Sequence, residues 1–292
     1  MLLGSIEAGA NKFICAVGDD NYNIKSIRSF TTKTPENTIK EVIDYFSKYN
    51  IKALGIASFG PLDINNESQT YGFIKNTPRV DWRDIDLLGL LKQAFNIPIS
   101  LTTNVNGSAY GEFIISRLSN QPVYTLLYFT VDTGIGAGAV INGRFLGSLE
   151  HPEMGHTLVR RHPLDNNFQG ICPYHKDCLE GLASEPAFKS RLKIASESAN
   201  QKELSYMFEA YYIAQGLSQI TLLLRPDRII LGGHLMTDKL RTSIQIKYLE
   251  LINNYIEIPD ISSFITKPTL SNEGAGIVGN FALSIKSYHQ KN

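Results

Sequence analysis

The chain has 292 residues, 43% of them hydrophobic and 19% charged, and its 28 basic side chains balance 28 acidic ones. That length suits two domains of ordinary size and a substantial core without disulfides. Zero net charge without a Lys/Arg run gives no electrostatic case for binding nucleic acid or an anionic membrane, and no apolar stretch nears the roughly 20 residues that span a bilayer.

The N-terminal segment Met1 to Ile6 lacks a basic region and soon meets Glu7, so no secretory signal is expected and a cytoplasmic location is. Leu2–Ala8, Lys12–Gly18 and Ile24–Phe30 read as three short strands separated by Gly, Asp and Asn turns. A helix follows, with Thr34 as cap, Pro35 in its first position and an apolar stripe of Ile39, Val42, Ile43 and Phe46. Ala53–Ser58 reads as a buried strand running into Gly60-Pro61, and Asp86–Phe95 as another helix. This β-β-β-α-β-α order differs from a Rossmann repeat, in which helices alternate with every strand.

A similar pattern opens near Thr125. Leu126–Val131 is a strand, Thr133-Gly134-Ile135-Gly136 a tight turn, Gly138–Ile141 the returning strand and Asn142-Gly143 a hairpin turn. Helices are expected at about 201–222 and 237–254 with a strand, Arg228–Leu231, between them, and a last helix at roughly 273–288 begins in the Gly-rich Glu273–Gly279 stretch. The repeated strand-turn-strand opening suggests a duplicated α/β architecture with a cleft between its halves. The boundary is placed at 1–117 and 118–274, with the C-terminal helix from about 275 to 292 packing back on the first half.

Two glycine turns then become candidates for holding phosphate: one containing Gly9, Asn11 and Lys12, the other Asp132, Thr133 and Gly134. Small residues let backbone N–H groups approach anionic oxygens, and the Thr133 hydroxyl adds a donor. Either turn alone is weak evidence, because a tight hairpin needs the same residues. Two in corresponding places favour phosphate. Gly232-Gly233, where a strand runs into a helix, is a third candidate, for the adenosine.

The strongest chemical signal is His156 followed by Cys172, His175 and Cys178, the last three spaced three residues apart. Two thiolates and two imidazoles suit tetrahedral Zn2+, and four such ligands close its shell, which makes the metal structural. The odd cysteine count argues against a disulfide framework, and Cys15 on an apolar strand reads as a core residue. Glu153 and Glu180 flank this loop and are candidates to accept hydrogen bonds from sugar hydroxyls. His156 would present its second nitrogen to the same ligand.

The sequence resembles the zinc-containing fructokinase branch of the ROK family (repressors, uncharacterised reading frames and sugar kinases). The stretches that carry the resemblance are Gly55 to Asp63, Thr77-Pro78 to Trp82, His151-Pro152-Glu153-Met154-Gly155-His156 and Cys172 through Ser184. The resemblance implies an actin/hexokinase-like (ribonuclease H-like) two-domain fold, Mg2+-ATP as phosphoryl donor, D-fructose as acceptor, a structural Zn2+ and a homodimer. It also implies a sugar site including Gly60, Pro61, Glu153, His156 and Glu180. The family's repressors carry an additional N-terminal helix-turn-helix. This chain opens on the first strand, so the expectation is a kinase without a nucleic-acid partner.

Several positions depart from the family pattern. Asn104, in Thr103-Asn104-Val105-Asn106, stands where the family keeps its catalytic aspartate, and an amide cannot take the proton of an attacking hydroxyl. Ala10 and Asn11 replace Gly and Thr in the first turn, while Asp132, Glu185 and His234 stand at expected glycines. The leading expectation is ATP-dependent phosphorylation of fructose with Asn104 orienting the hydroxyl. The alternative is a catalytically impaired relative that binds sugar as a non-enzymatic or regulatory protein. A zinc hydrolase is a weak third reading, since the closed ligand set leaves no open position on the metal.

Overall fold

The computed structural model describes residues 1–147, 151–194, 199–270 and 274–291. By its internal contacts the chain separates into two units, one built from Met1–Pro122, Gly138–His151 and Thr269–Asn292, the other from Val123–Ala137 and Pro152–Pro268.

The first unit opens with β1 (Leu2–Ala8), β2 (Lys12–Asp19) and β3 (Ile24–Thr31), an antiparallel meander. Helix α1 (Pro35–Phe46) leads to β4 (Ala53–Ser58). The small hairpin β5 (Phe73–Ile74) and β6 (Ile85–Asp86) precedes α2 (Leu87–Ala94), β7 (Ile99–Thr103) and α3 (Asn104–Leu118). The sheet order is β3-β2-β1-β4-β7, with β1, β4 and β7 parallel.

Alternation along the strands divides the core into two layers. Ile6, Phe13, Cys15 and Val17 face a layer with Val42, Phe46 and Trp82. Leu3, Ile14 and Ala16 face the other way, against Ile277 and Phe281 of the last helix. Cys15 is accordingly a fully buried core residue. Strand β3 is mostly exposed and carries Lys25 and Arg28, the charged composition that discourages pairing at a sheet edge.

The second part of the chain supplies β8 (Thr125–Val131), β9 (Ile135–Ile141) and β10 (Arg144–Phe145). Then come α4 (Leu179–Ala183), α5 (Glu185–Ile194), α6 (Ala199–Leu224), β11 (Arg228–Gly232), α7 (Asp238–Ile252), α8 (Ile261–Phe264), β12 (Ile265–Thr266) and α9 (Gly274–Lys291). The sheet order is β10-β9-β8-β11-β12, with β8, β11 and β12 parallel. Asn142 and Gly143 take positive φ, as a two-residue hairpin turn requires.

Helix α9 lies against α3, β1 and β4 within the first unit. Its approach to α3 is so close that a Cβ at Gly111 would lie 1.8 Å from the Ala275 carbonyl oxygen, and one at Gly279 would lie 2.0 Å from that of Gly107. Only glycines let the two backbones touch. The expected start of this helix at Glu273 lies outside the described residues.

Two local expectations need correction. Thr34 occupies the N-cap position of α1 without a side-chain cap, and Thr38 Oγ1 instead accepts the Lys33 N–H at 2.9 Å. The second turn is shorter than expected, since β9 begins at Ile135 rather than 138. The pair β7–α3 carries no local sequence signature, because its strand is short and half-buried, with no alternation to mark it. No described helix is long and apolar enough to cross a membrane.

Candidate functional site

Parallel strands end on the same edge, and both sheets use this to collect candidate residues. In the first unit Ala8 pairs with Ser58, and Ser58 with Thr103. The residues just beyond these ends are Gly9, Gly60-Pro61 and Asn104. The carboxyl edge of a parallel sheet is where α/β proteins receive ligands.

At this edge the Gly9 turn is closed by Gly9 N–H donating to the Lys12 carbonyl at 2.9 Å, with the Thr32 hydroxyl donating to the Gly9 carbonyl at 2.8 Å. Asn11 and Lys12 are exposed. The Gly60–Pro61 peptide bond is cis. Asn104 is the first residue of α3, where Thr103 Oγ1 caps the helix by accepting the Asn106 N–H at 3.3 Å. Asn104 Oδ1 accepts the N–H of Val105 at 2.9 Å, so its carboxamide is fixed at the helix start. An amide there can orient a hydroxyl by hydrogen bonding and cannot take up its proton.

In the second unit, β8 and β11 end together, Gly232 opposite Thr130. Asp132, Thr133 and Gly134 leave one strand while Gly232 and Gly233 leave the other. Gly233 has φ +103°, and a Cβ there would sit 2.1 Å from the Val131 carbonyl oxygen, so glycine is required on both counts. The Asp132 N–H donates to the Gly134 carbonyl at 2.9 Å, and Asp132 Oδ1 accepts the Thr133 N–H at 3.0 Å.

The cysteine-histidine cluster also assembles within this unit. Met154–His156 forms one helical turn that presents the imidazole of His156. Cys172 to Lys176 forms a tight turn, closed by Lys176 N–H donating to the Cys172 carbonyl at 3.0 Å, with Lys176 at positive φ. Cys178 caps α4, its sulfur accepting the Gly181 N–H at 3.4 Å, and the Cys172 sulfur accepts the His175 N–H at 3.5 Å.

The four potential ligand atoms lie within 4.8 Å of one another. His156 Nδ1 is 3.7 Å from Cys172 Sγ and 3.5 Å from Cys178 Sγ, and His175 Nδ1 is 3.7 Å from Cys172 Sγ. A tetrahedral ion with bonds of about 2.0 Å to nitrogen and 2.3 Å to sulfur separates such atoms by about 3.5 Å. The donor set therefore fits a metal ion. Burial, with Cys172 adding to it and the Gly181 N–H opposing it, pushes the Cys178 thiol up to about 11. A cation is what would draw the thiolate out.

His156 turns its second nitrogen away from the sulfurs. Nε2 lies 3.9 Å from Glu180 Oε1, while Glu180 Oε2 accepts the Ile135 N–H at 2.9 Å. Glu180 thereby ties the cluster to the start of β9, a link no sequence spacing discloses. Glu153 is exposed on the same loop, and its carbonyl accepts the His156 N–H at 3.0 Å. The structure thus brings Glu180 to His156, places Glu153 one turn away, and joins Asp132 to His234 at 2.7 Å.

A family model described as "ROK family" matches residues 3–287. A fructokinase of Lactococcus lactis subsp. cremoris is 44% identical over 283 residues, covering 96% of this chain and 96% of that protein. Among solved structures, a ROK hexokinase from Thermus thermophilus superposes with TM-score 0.79 at 22% identity, covering 99% of this chain and all of that one. A ROK family glucokinase from Streptomyces griseus, in complex with glucose and AMPPNP, gives TM-score 0.73 at 19% identity, covering 98% of this chain and all of its own.

Proposed function

The chain belongs to the ROK family, with its actin/hexokinase-like two-domain fold, and on that footing we propose that it is an ATP-dependent kinase that phosphorylates D-fructose on its 6-hydroxyl. The observation that carries the reading is the full-length likeness to a named fructokinase. In this reading Glu153, His156 and Glu180 hold sugar hydroxyls, with the Gly60-Pro61 turn beside Asn104 contributing to the sugar site. Asn104 orients the attacking oxygen from the start of α3. The turns at Gly9, Asn11 and Lys12, at Asp132, Thr133 and Gly134, and at Gly232-Gly233 hold the nucleotide. Bound Mg2+ would offset charge on the β- and γ-phosphates. His156, Cys172, His175 and Cys178 would hold Zn2+ in a closed, structural site. We place the protein in the cytoplasm, as a homodimer.

Phosphoryl transfer passes through a loose transition state, in which positioning and charge stabilisation supply most of the rate. A kinase with Asn104 is therefore workable but slow, because general-base help of about 10²–10⁴ is forgone. The test is ADP release with Mg-ATP across fructose, mannose and glucose, for the parent and Asn104→Asp. The expected result is turnover with fructose that rises at least about tenfold in Asn104→Asp. Fructose binding without ADP release from either protein would replace this reading with a non-catalytic sugar-binding relative, which Asn104 specifically favours. Neither binding nor turnover would sink both.

A further inference from the structure

Asp132 and His234 are 102 positions apart in sequence and meet at the carboxyl edge of the second sheet. The register accounts for the meeting. Leu231 lies opposite Phe129 and Gly232 opposite Thr130. Two residues further along each chain stand His234 and Asp132. His234 Nδ1 lies 2.7 Å from Asp132 Oδ2, and the other carboxylate oxygen accepts the Thr133 N–H at 3.0 Å. The Asp132 carbonyl accepts the N–H of Glu185, whose carboxylate is paired with Lys189 at 2.6 Å. Both acids at this place, Asp132 and Glu185, stand beside a base.

A carboxylate on a turn that receives phosphate presents a physical problem. Like charges a few ångströms apart repel, and the Asp132 backbone is held at the turn by its bonds to Gly134 and Glu185. The imidazole supplies the remedy locally. His234 is 74% exposed, and a polar contact so open adds little to folding. Its consequence falls on whatever anion comes to the turn.

We propose that His234 is a positioning residue for the nucleotide, engaging one oxygen of the Asp132 carboxylate and holding that side chain in place so that a polyphosphate can settle on the 132–134 turn. The inference rests on the nucleotide reading above and deepens it. His234 acts through Asp132, so its removal matters only while Asp132 carries its charge.

The experiment measures KM for Mg-ATP and for fructose, and Mg-ADP binding by calorimetry, in the parent, His234→Ala, Asp132→Asn and Asp132→Asn/His234→Ala. Expected is a rise of about tenfold in the Mg-ATP KM and Mg-ADP Kd of His234→Ala, with fructose KM and melting temperature unchanged. The double variant should return to within about twofold of Asp132→Asn alone, the non-additivity of residues that act as a pair. A His234→Ala penalty of equal size in both backgrounds would overturn the proposal, as would no penalty or an equal rise in fructose KM. A parent that binds Mg-ADP but ignores His234→Ala defeats this inference alone. A parent that binds neither nucleotide defeats the nucleotide reading and the inference with it.

Discussion

Arg191 is one buried cation shared by two buried carboxylates, and the sharing is unequal. It donates to Asp165 through Nε at 3.1 Å and Nη2 at 2.8 Å, and Asp165 also accepts the Tyr212 hydroxyl at 2.8 Å. Glu209 receives only Nη1 at 3.3 Å, and its Oε2 has no partner among the described residues. Burial pushes the Glu209 carboxyl well above its ordinary value of 4.5; Arg191 opposes this and Asp165 adds to it. Asp165 is thus the closer, doubly bonded partner of Arg191, and Glu209 the more weakly held one with its carboxyl raised by burial. Asp165→Asn should cost about 3–5 kcal/mol in urea unfolding, because it strands a buried cation, whereas Glu209→Gln should stay within about 1 kcal/mol. A carboxyl raised in the folded state stabilises below its unfolded value and loses that contribution as pH climbs through the folded one. The parent should therefore lose stability relative to Glu209→Gln as pH rises above 4.5. Parallel pH curves for the two proteins would refute the raised carboxyl.

At the scale of elements, α3 and α9 show how a fold detail supports a site. Asn104 stands at the start of α3, and α3 is set by glycines that let α9 touch it. Gly111→Val should force the helices apart and cost at least about 2 kcal/mol, read as a lower unfolding midpoint. Full stability in that variant would mean the contact is not a tight one. Most strands and helices were legible because their patterns are local: the first three strands by their turns, α1 by Pro35 and its apolar stripe, the cysteine-histidine loop by its spacing. Thr103 and Asn104 were legible as a motif but not as a helix start, since β7 offers no alternation. The links from Glu180 to Ile135 and from Asp132 to His234 were not legible at all. They depend on which elements become neighbours, helix α4 with β9 across 45 residues and the ends of β8 and β11 across 102, and packing decides that rather than any one stretch.

Across the whole molecule, two probes fall on different units. Trp82 is the only tryptophan in the sequence and is fully buried in the first unit, its Nε1 donating to the Lys33 carbonyl at 2.9 Å and its ring 5.4 Å from that of Phe13. His156, Cys172, His175 and Cys178 all belong to the second unit. The proposed metal would organise a loop of turns, 154–178, that has little regular structure of its own to hold it. Removing the proposed zinc should therefore destabilise the second unit selectively, because a site absent from the unfolded chain adds its binding free energy to folding. With chelator, the part of the far-UV circular dichroism lost with the second unit, to which α6 and α7 contribute, should melt about 10 °C lower, while Trp82 emission holds its midpoint. Readdition of zinc should restore the first signal. Two midpoints falling together would show that the units unfold as one cooperative body. A chelated, metal-free protein with neither midpoint moved would remove the structural role from the cluster.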